Sequence, residues 1–323
     1  MESKKEIRRR DKITPLTVDP AVRARALKNK KKLHVRRKLI EWGLFTGYLT
    51  PSLLGVILFF FLPLLMLLKT SFQKSSTNTE LVGTLNYERV LTNEAFKDAS
   101  FNTLTFALLA VPLAVLLALL LAMLLNTGLP GKSAFRSILL NPMMVPVASV
   151  VLIWQVFFSY NGVVNGWTAS LLGWSKIDWL KSDYAQIVIL LMFLWKNLGY
   201  NMVLFLAALN NIPTEILESA MMDGAGAFKR FFSIKLYYLS PTIFFVAIMS
   251  LVNSFKIFRE VYLLTGDYPY DSLYMLQHFM NNAFTKLDYS KLSAGAIIMT
   301  VVMGAIVGGL FFAESKLDSN IEE

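Results

Sequence analysis

Six long apolar segments alternate with polar connections along this chain. Each has the length of about 20 residues that a helix needs to cross a hydrocarbon layer of about 30 Å. None shows the period-two alternation that strands of a membrane barrel require. The pattern therefore predicts an all-α, polytopic membrane protein with a six-helix transmembrane domain at residues 44–313. The predicted helices are Leu44–Leu68, Phe101–Leu125, Ile138–Ser159, Tyr184–Leu209, Leu236–Phe255 and Leu292–Ala313.

The composition fits a lipid environment and argues against chemistry carried out by the chain itself. Of the 323 residues, 55% are hydrophobic and only 17% are charged, whereas soluble domains carry about 25% charged residues. There is no cysteine for a disulfide, a thiolate nucleophile or a thiolate-bound metal. The two histidines, His34 and His278, lie far apart, and no apolar segment holds paired carboxylates. We expect no enzyme activity, no metal site and no cofactor bound by this chain.

The connection after the second apolar segment contains Gly131-Lys132-Ser133, which resembles the end of a phosphate-binding loop. That motif needs a glycine five residues before Gly131, where this chain has Asn126. ATP is therefore not expected to bind here, and any ATP-driven movement would depend on another chain.

Basic residues are distributed unevenly between the two ends of the predicted helices. Residues 1–43 hold 15 lysines and arginines against five acids, which predicts a basic arm beside anionic lipid headgroups. Because no aromatic residues are interleaved with these charges, nucleic-acid binding is not expected. With the N-terminus placed inside, the inside segments carry 21 lysines and arginines and the outside segments carry ten, in agreement with the positive-inside rule. An even number of spans then places both termini, including a short tail at 314–323, in the cytoplasm.

The inside connection at residues 210–235 has a composition that a simple linker does not need. Pro213 suits the first turn of a helix, and Ala220 and Gly224, four residues apart, would leave one helix face nearly bare. Asp223-Gly224-Ala225-Gly226 predicts a break before a second, phenylalanine-rich helix. The segment is interpreted as a short bent helix pair on the cytoplasmic side that another surface can approach closely. The alternative is an amphipathic connector.

Two blocks of the sequence resemble permease subunits of binding-protein-dependent ABC importers. The letters ESA at 218–220, with a glycine four residues later and I-x-L at 234–236, are similar to the EAA loop of that family. The block at 254–299, with LTGDYP at 264–269, resembles the sugar-importing, maltose-type branch. In that branch, LTG is usually followed by two more glycines. The likeness covers roughly residues 44–313.

The resemblance implies the six-helix fold of type I ABC importer permeases, in a bacterial inner membrane. It further implies a second permease subunit, two ATPase subunits that bind Mg-ATP, and a periplasmic or extracellular binding protein. The loop at 210–235 would be a coupling helix that seats in the ATPase and passes its closure to the membrane helices. The implied contact residues are Glu218, Ser219, Ala220, Asp223 and Gly224.

Lys196 stands inside the fourth apolar segment, more than ten residues from its inner end. A charge at that depth costs about 2.5–3.5 kcal/mol on insertion scales, so it should face a cavity or a partner of opposite charge. In the maltose-type importers, this part of the fourth span and the outer half of the fifth line the sugar site. The resemblance implies a substrate site at Lys196, Asn197, Tyr200, Ser250, Asn253, Ser254 and Lys256.

The ammonium of Lys196 suggests an oligosaccharide that carries carboxylates, such as a uronate chain of the alginate kind. Several alternatives stay open. Lys196 pairs with an acid on a neighbouring chain, or the substrate is a neutral sugar or a sugar phosphate. A self-contained secondary transporter and a membrane-embedded enzyme are disfavoured, the first by the coupling loop and the second by the missing catalytic groups.

Overall fold

The computed structural model describes residues 37–38, 41–75, 77–127 and 130–322, with side chains as far as residue 316. The described part is helical apart from its connections, and its one β pairing is an isolated bridge between Gln73 and Leu81. The helices are α1 (Glu41–Ser71), α2 (Leu85–Leu91), α3 (Glu94–Leu125), α4 (Lys132–Met144), α5 (Val147–Phe158), α6 (Val163–Leu172), α7 (Ala185–Asn210), α8 (Thr214–Met222), α9 (Ala227–Arg230), α10 (Leu236–Phe255), α11 (Phe258–Thr265), α12 (Leu276–Thr285) and α13 (Tyr289–Glu322). Short π-helical turns occupy Ile57–Phe61 and Phe231–Lys235, and a 3₁₀ turn occupies Asp271–Leu273.

Six helical stretches in the described residues are long and apolar enough to cross a membrane, which confirms the predicted all-α, six-span class. They are Glu41–Ser71, Glu94–Leu125, Val147–Leu172, Ala185–Asn210, Ala227–Thr265 and Tyr289–Lys316. The chain divides into two compact units, Met1–Met66 and Leu67–Glu323. In the first unit, residues 41–54 are all exposed. Helices α2–α13 belong to the second unit.

The third predicted span, Ile138–Ser159, does not form one helix. α4 ends at Met144, Val145 has an extended backbone (φ −76°, ψ 132°), and α5 begins after Pro146. The cause is local, because the ring of a proline disfavours helical backbone in the residue before it. The spanning stretch is instead Val147–Leu172, formed by α5 and α6 with a turn between them.

Helix α7 forms the centre of the second unit. It packs against α3, α4 and α10, and half of its most apolar window is buried. On α3, four alanines spaced four residues apart are fully buried and present a narrow small-residue face along the contact. These are Ala110, Ala114, Ala118 and Ala122. Small residues let membrane helices pack with their backbones close together.

The contact between α7 and α4 is closer still. A Cβ atom added to Gly199 of α7 would lie 1.9 Å from the carbonyl oxygen of Leu139 in α4. Real Cβ atoms do not approach a backbone oxygen so closely, so only glycine fits at this position. This crossing fixes α4 against α7 one turn after Lys196. It thereby positions the wall of a cavity that Lys196 lines.

Candidate functional site

A cavity of about 250 Å³ lies between α7, the break from α4 to α5, and the junction of α10 with α11. Its wall combines apolar side chains with amides and charged groups. The lining residues are Met143, Val147, Phe193, Lys196, Asn197, Asn253, Lys256, Ile257, Arg259 and Glu260. A proline-linked break shapes this space, since Met143 and Val147 flank Val145-Pro146 at the end of α4.

Lys196 forms an ion pair with Glu260 across this cavity. The Nζ of Lys196 donates to Oε1 of Glu260, and the two side chains are only 17% and 9% exposed. From the sequence, the expected counterion is a substrate or an acid of a neighbouring chain, whereas the structure gives an acid of the same chain, 64 residues away. A buried charge with a hydrogen-bonded partner is far less costly than an unpaired one.

Two amides bridge α7 and α10 beside the ion pair. The Nδ2 of Asn253 donates to Oδ1 of Asn197 at 2.9 Å, and Nδ2 of Asn197 donates to the carbonyl of Phe193 at 2.8 Å. These bonds fix the orientation of both side chains. Each amide keeps spare hydrogen-bonding capacity, and both side chains line the cavity.

The structure brings together four of the seven predicted substrate residues. Lys196, Asn197, Asn253 and Lys256 line the cavity, and Tyr200, Ser250 and Ser254 do not. Ser250 is buried and accepts a hydrogen bond from Nδ2 of Asn201 at 3.0 Å, inside the α7–α10 contact. The buried hydroxyl of Ser254 donates to the carbonyl of Leu251. Both serines therefore stabilise the packing of α10 rather than face the space.

Of the six lining residues that sequence reasoning missed, two are charged, Arg259 and Glu260. Both lie in the first turn of α11, which is separated from α10 by the two residues Lys256 and Ile257. From the sequence, residues 256–291 are predicted to be an outside connection, because the fifth apolar segment ends at Phe255. Only the fold shows that α11 turns Glu260 back toward α7. The lining then carries three cations, Lys196, Lys256 and Arg259, and one carboxylate.

The segment at 210–235 forms one separate short helix, α8, and the four-residue helix α9. The predicted second short helix is not separate, because α9 continues through the π-helical turn at Phe231–Lys235 into the spanning helix α10. α8 begins directly after Pro213 rather than with it, since Pro213 has an extended ψ of 128°. α8 ends in a Schellman motif: the amide of Gly224 donates to the carbonyl of Met221, and that of Ala225 donates to the carbonyl of Ala220. Gly224 adopts a left-handed backbone (φ +78°), which a residue with a Cβ adopts only at a cost.

This motif corrects the expected bare helix face. Ala220 lies in α8 and is half-buried, but Gly224 lies beyond the helix end and shares no helical face with it. Glu218, Ser219 and Asp223 are exposed. The hydroxyl of Ser219 donates to the carbonyl of Glu215 one turn earlier.

Large apolar side chains are exposed at the same segment. Met222 is 89% exposed and Phe228 is 78% exposed. Met221 and Phe232 are about half exposed. Contiguous exposed apolar side chains on one segment are typical of a surface that another protein covers.

His278 of α12 is a buried group outside the cavity. Its Nδ1 accepts a hydrogen bond from the amide of Met275 at 3.3 Å, and its ring stands edge-on to Phe258 at 4.7 Å. Burial lowers the pKa of His278 to about 4, against a small opposing effect of Asp267, so the imidazole is neutral at pH 7. Within the described residues, no cluster of three metal-ligating side chains includes it. His34 lies outside the described residues.

The chain resembles several characterised transport proteins. Residues 96–315 match the family of the binding-protein-dependent transport system inner membrane component. The trehalose/maltose transport system permease protein MalF of Thermococcus litoralis is 32% identical over 263 residues, which cover 80% of this chain and 89% of that protein. The sn-glycerol-3-phosphate transport system permease protein UgpA of Yersinia pestis is 30% identical over 243 residues, covering 74% of this chain and 82% of that protein.

The fold is shared with a solved transporter. A crystal structure of a bacterial ABC transporter involved in the import of the acidic polysaccharide alginate contains a chain that superposes with a TM-score of 0.76. The two chains are 21% identical, and the alignment covers 88% of this chain and 99% of that one. At this identity the likeness establishes the fold, which is that of a type I ABC importer permease.

Proposed function

The chain belongs to the family of binding-protein-dependent transport system inner membrane components, and from this premise we propose that it is the permease subunit of an ABC importer for an acidic oligosaccharide. Its part in transport is to form one wall of the translocation path. The substrate meets the cavity between α7 and α11, where amides and charged groups face the same space. The chain itself binds no cofactor and carries out no chemical step.

The excess of cations in the cavity supports an acidic substrate. After Lys196 and Glu260 neutralise each other, Lys256 and Arg259 leave the lining with two net positive charges. Both of these side chains are exposed to the space. Ammonium and guanidinium groups bind carboxylates and phosphates through charge-assisted hydrogen bonds. The amides of Asn197 and Asn253 add the donors and acceptors that sugar hydroxyls require.

A neutral sugar is the second candidate, and the named relative MalF favours it, because that protein is a trehalose/maltose permease. Its named counterpart UgpA, at similar identity, is a permease for sn-glycerol-3-phosphate, an anion. Identities near 30% therefore do not separate neutral from anionic substrates. The charges of the cavity are the observation that favours the acidic one.

The exposed apolar segment at 210–235 supports a docking surface for an ATPase subunit. Met222 and Phe228 stand on either side of the Gly224 turn and are largely exposed. The residues proposed to couple ATP hydrolysis to the path are Glu218, Ser219, Ala220, Asp223 and Gly224. The complete importer in this proposal holds a second permease, two ATPase subunits and a binding protein outside the cell.

The proposed location is the cytoplasmic membrane, with both termini and the 210–235 segment on the cytoplasmic side. α10 starts directly after this segment and runs to Phe255, so the connection at 266–288 reaches the opposite face. That opposite face would receive the binding protein. The excess of lysine and arginine on the side of the 210–235 segment supports this orientation.

Transport by the reconstituted complex tests the proposal. The permease pair, the ATPase subunits and the binding protein are placed in liposomes, and ATP-dependent uptake is measured for an oligouronate and for its carboxyl-reduced, neutral counterpart of equal length. We expect uptake of the oligouronate to exceed that of the neutral chain. Preferred uptake of the neutral chain would overturn the acidic substrate, and assembly without any ATPase subunit would overturn the importer itself.

A further inference from the structure

We propose that Glu260 is a specificity-determining residue. It forms an ion pair with Lys196 while the cavity is empty, and a carboxylate of the substrate displaces it from Lys196. The inference rests on the proposed function, because it concerns the same cavity. Glu260 would stand in for the substrate's carboxylate between transport cycles. Acidic substrates could then replace it, and neutral ones could not.

The first support is the position of the pair. Lys196 and Glu260 both line the cavity and are not sealed behind other side chains. The ammonium is therefore held at the surface of the space that a substrate would fill. An ion pair that served packing alone would not need to face a cavity.

The second support is the chemistry of the exchange. When a substrate carboxylate replaces that of Glu260, Lys196 exchanges one charge-assisted hydrogen bond for another. The buried ammonium is therefore never left unpaired. A sugar hydroxyl offers no such replacement, because it leaves two opposite charges separated and less well solvated. Arg259 and Lys256, in the same lining, are available to the displaced Glu260 or to further substrate carboxylates.

The third support is where the two residues are anchored. Lys196 belongs to α7, which packs against α3, α4 and α10, and Glu260 belongs to α11. On α11, Val261 and Leu264 are buried in the same apolar cluster as Ile189 and Phe193 of α7, so both helix backbones are held in place. Exchange of the counterion of Lys196 therefore needs only a change of the Glu260 side-chain rotamer, and substrate carboxylates would compete with Glu260 for the ammonium.

The experiment compares charge selectivity between variants of the complete complex. The measured quantity is the ratio of ATP-dependent uptake of an oligouronate to that of its carboxyl-reduced counterpart, with the same binding protein throughout. Glu260→Gln leaves Lys196 without its counterion, so we expect the ratio to rise about tenfold. Lys196→Met leaves Glu260 unpaired and repelling, so we expect the ratio to fall by a similar factor. The double variant Lys196→Met/Glu260→Gln should return the ratio to within about threefold of the wild type.

Two controls separate selectivity from loss of structure. Glu94→Gln removes the carboxylate of an exposed ion pair with Lys97 on α3 and should leave the ratio unchanged. The double variant, which restores electroneutrality without the pair, shows whether the cavity tolerates the substitutions, since it should still take up the neutral chain.

The outcomes distinguish the inference from the proposed function. If the wild type takes up sugars but Glu260→Gln lowers acidic and neutral uptake equally, the pair only stabilises the fold and the inference is wrong while the importer stands. If the wild type takes up neither sugar, the proposed function fails and the inference falls with it.

Discussion

The cavity between α7 and α11 and the segment at 210–235 depart from the usual distribution of polarity in opposite ways. In the cavity, charged side chains lie at the depth of a membrane-spanning helix, and Lys196 and Glu260 are buried together. At 210–235, large apolar side chains such as Met222 and Phe228 lie outside any packed core. Each departure needs a partner to be stable. The cavity supplies its own in Glu260, whereas no described residue of this chain covers Met222.

The two kinds of departure suit two kinds of function. A charge that is already paired can exchange its partner, and such a site suits a ligand that comes and goes. An apolar surface that is uncovered within its own chain suits a lasting contact with another protein.

Gly199→Ala should cause the largest loss of stability. The added Cβ would lie 1.9 Å from the Leu139 carbonyl oxygen, and backbone cannot give way as a side chain can. We expect a destabilisation of about 3 kcal/mol, measured as a lower thermal unfolding midpoint of the purified complex. Gly295→Ala is the matched control, because its added Cβ would meet only side-chain atoms at 3.9 Å. Equal midpoints for both variants would show that α4 is not held tightly against α7.

Met222→Asp should act on assembly and leave the fold intact. Met222 is 89% exposed, so its replacement removes no packing within the chain, but it places a carboxylate in the proposed ATPase contact. Residues at the centre of an interface contribute about 2 kcal/mol or more, which corresponds to roughly a 30-fold loss in affinity for the ATPase subunit. Co-purification and stimulated ATP hydrolysis would measure it.

The control for that variant is Leu81→Asp, at a residue that is 72% exposed in the connection between α1 and α2. It should keep full co-purification. If Met222→Asp also keeps it, the exposed side chains at 210–235 do not form the ATPase contact.

His278 is a buried titratable group that forms no ion pair, in contrast to Lys196 and Glu260. Its effect on stability should therefore depend on pH. The pKa of His278 is lowered to about 4 in the folded chain, below the ordinary value of about 6.5. Between these values the unfolded chain binds more protons, so stability falls as the pH is lowered through this window. From pH 7 to pH 5 the loss should reach about 2 kcal/mol, measured by unfolding at each pH. His278→Gln should reduce the dependence of the unfolding free energy on pH between pH 5 and pH 7. If that dependence is unchanged, groups other than His278 cause it.

The sequence was sufficient to predict the number of spanning helices, because membrane-length apolar runs have few alternative structures. It misplaced the ends of the third span and shortened the fifth. It also placed the break at Gly224 and the polar lining of α7 and α10. It did not predict Glu260, because the apolar run ends at Phe255 and does not show that the helical stretch continues past Lys256–Ile257 to Thr265. It also merged α4 with α5, because Pro142 and Pro146 lie in one apolar run and only the second interrupts the helix. Ser250 and Ser254 lie outside the cavity, because a hydroxyl can bond within or between helices as readily as with a sugar.

Gly224→Ala should give the smallest effect of the set and the most specific one. The left-handed backbone of Gly224 (φ +78°) costs a residue with a Cβ about 1 kcal/mol, and no atom within 4 Å adds a clash. Gly226, with φ −63° and equally open surroundings, provides the matched control Gly226→Ala. If α8 and α9 must keep their angle to pass movement from the ATPase to the path, Gly224→Ala should lower the number of sugars carried per ATP by about fivefold, and Gly226→Ala should not. An equal effect of both variants would mean that flexibility of the segment, rather than the geometry of its turn, determines coupling.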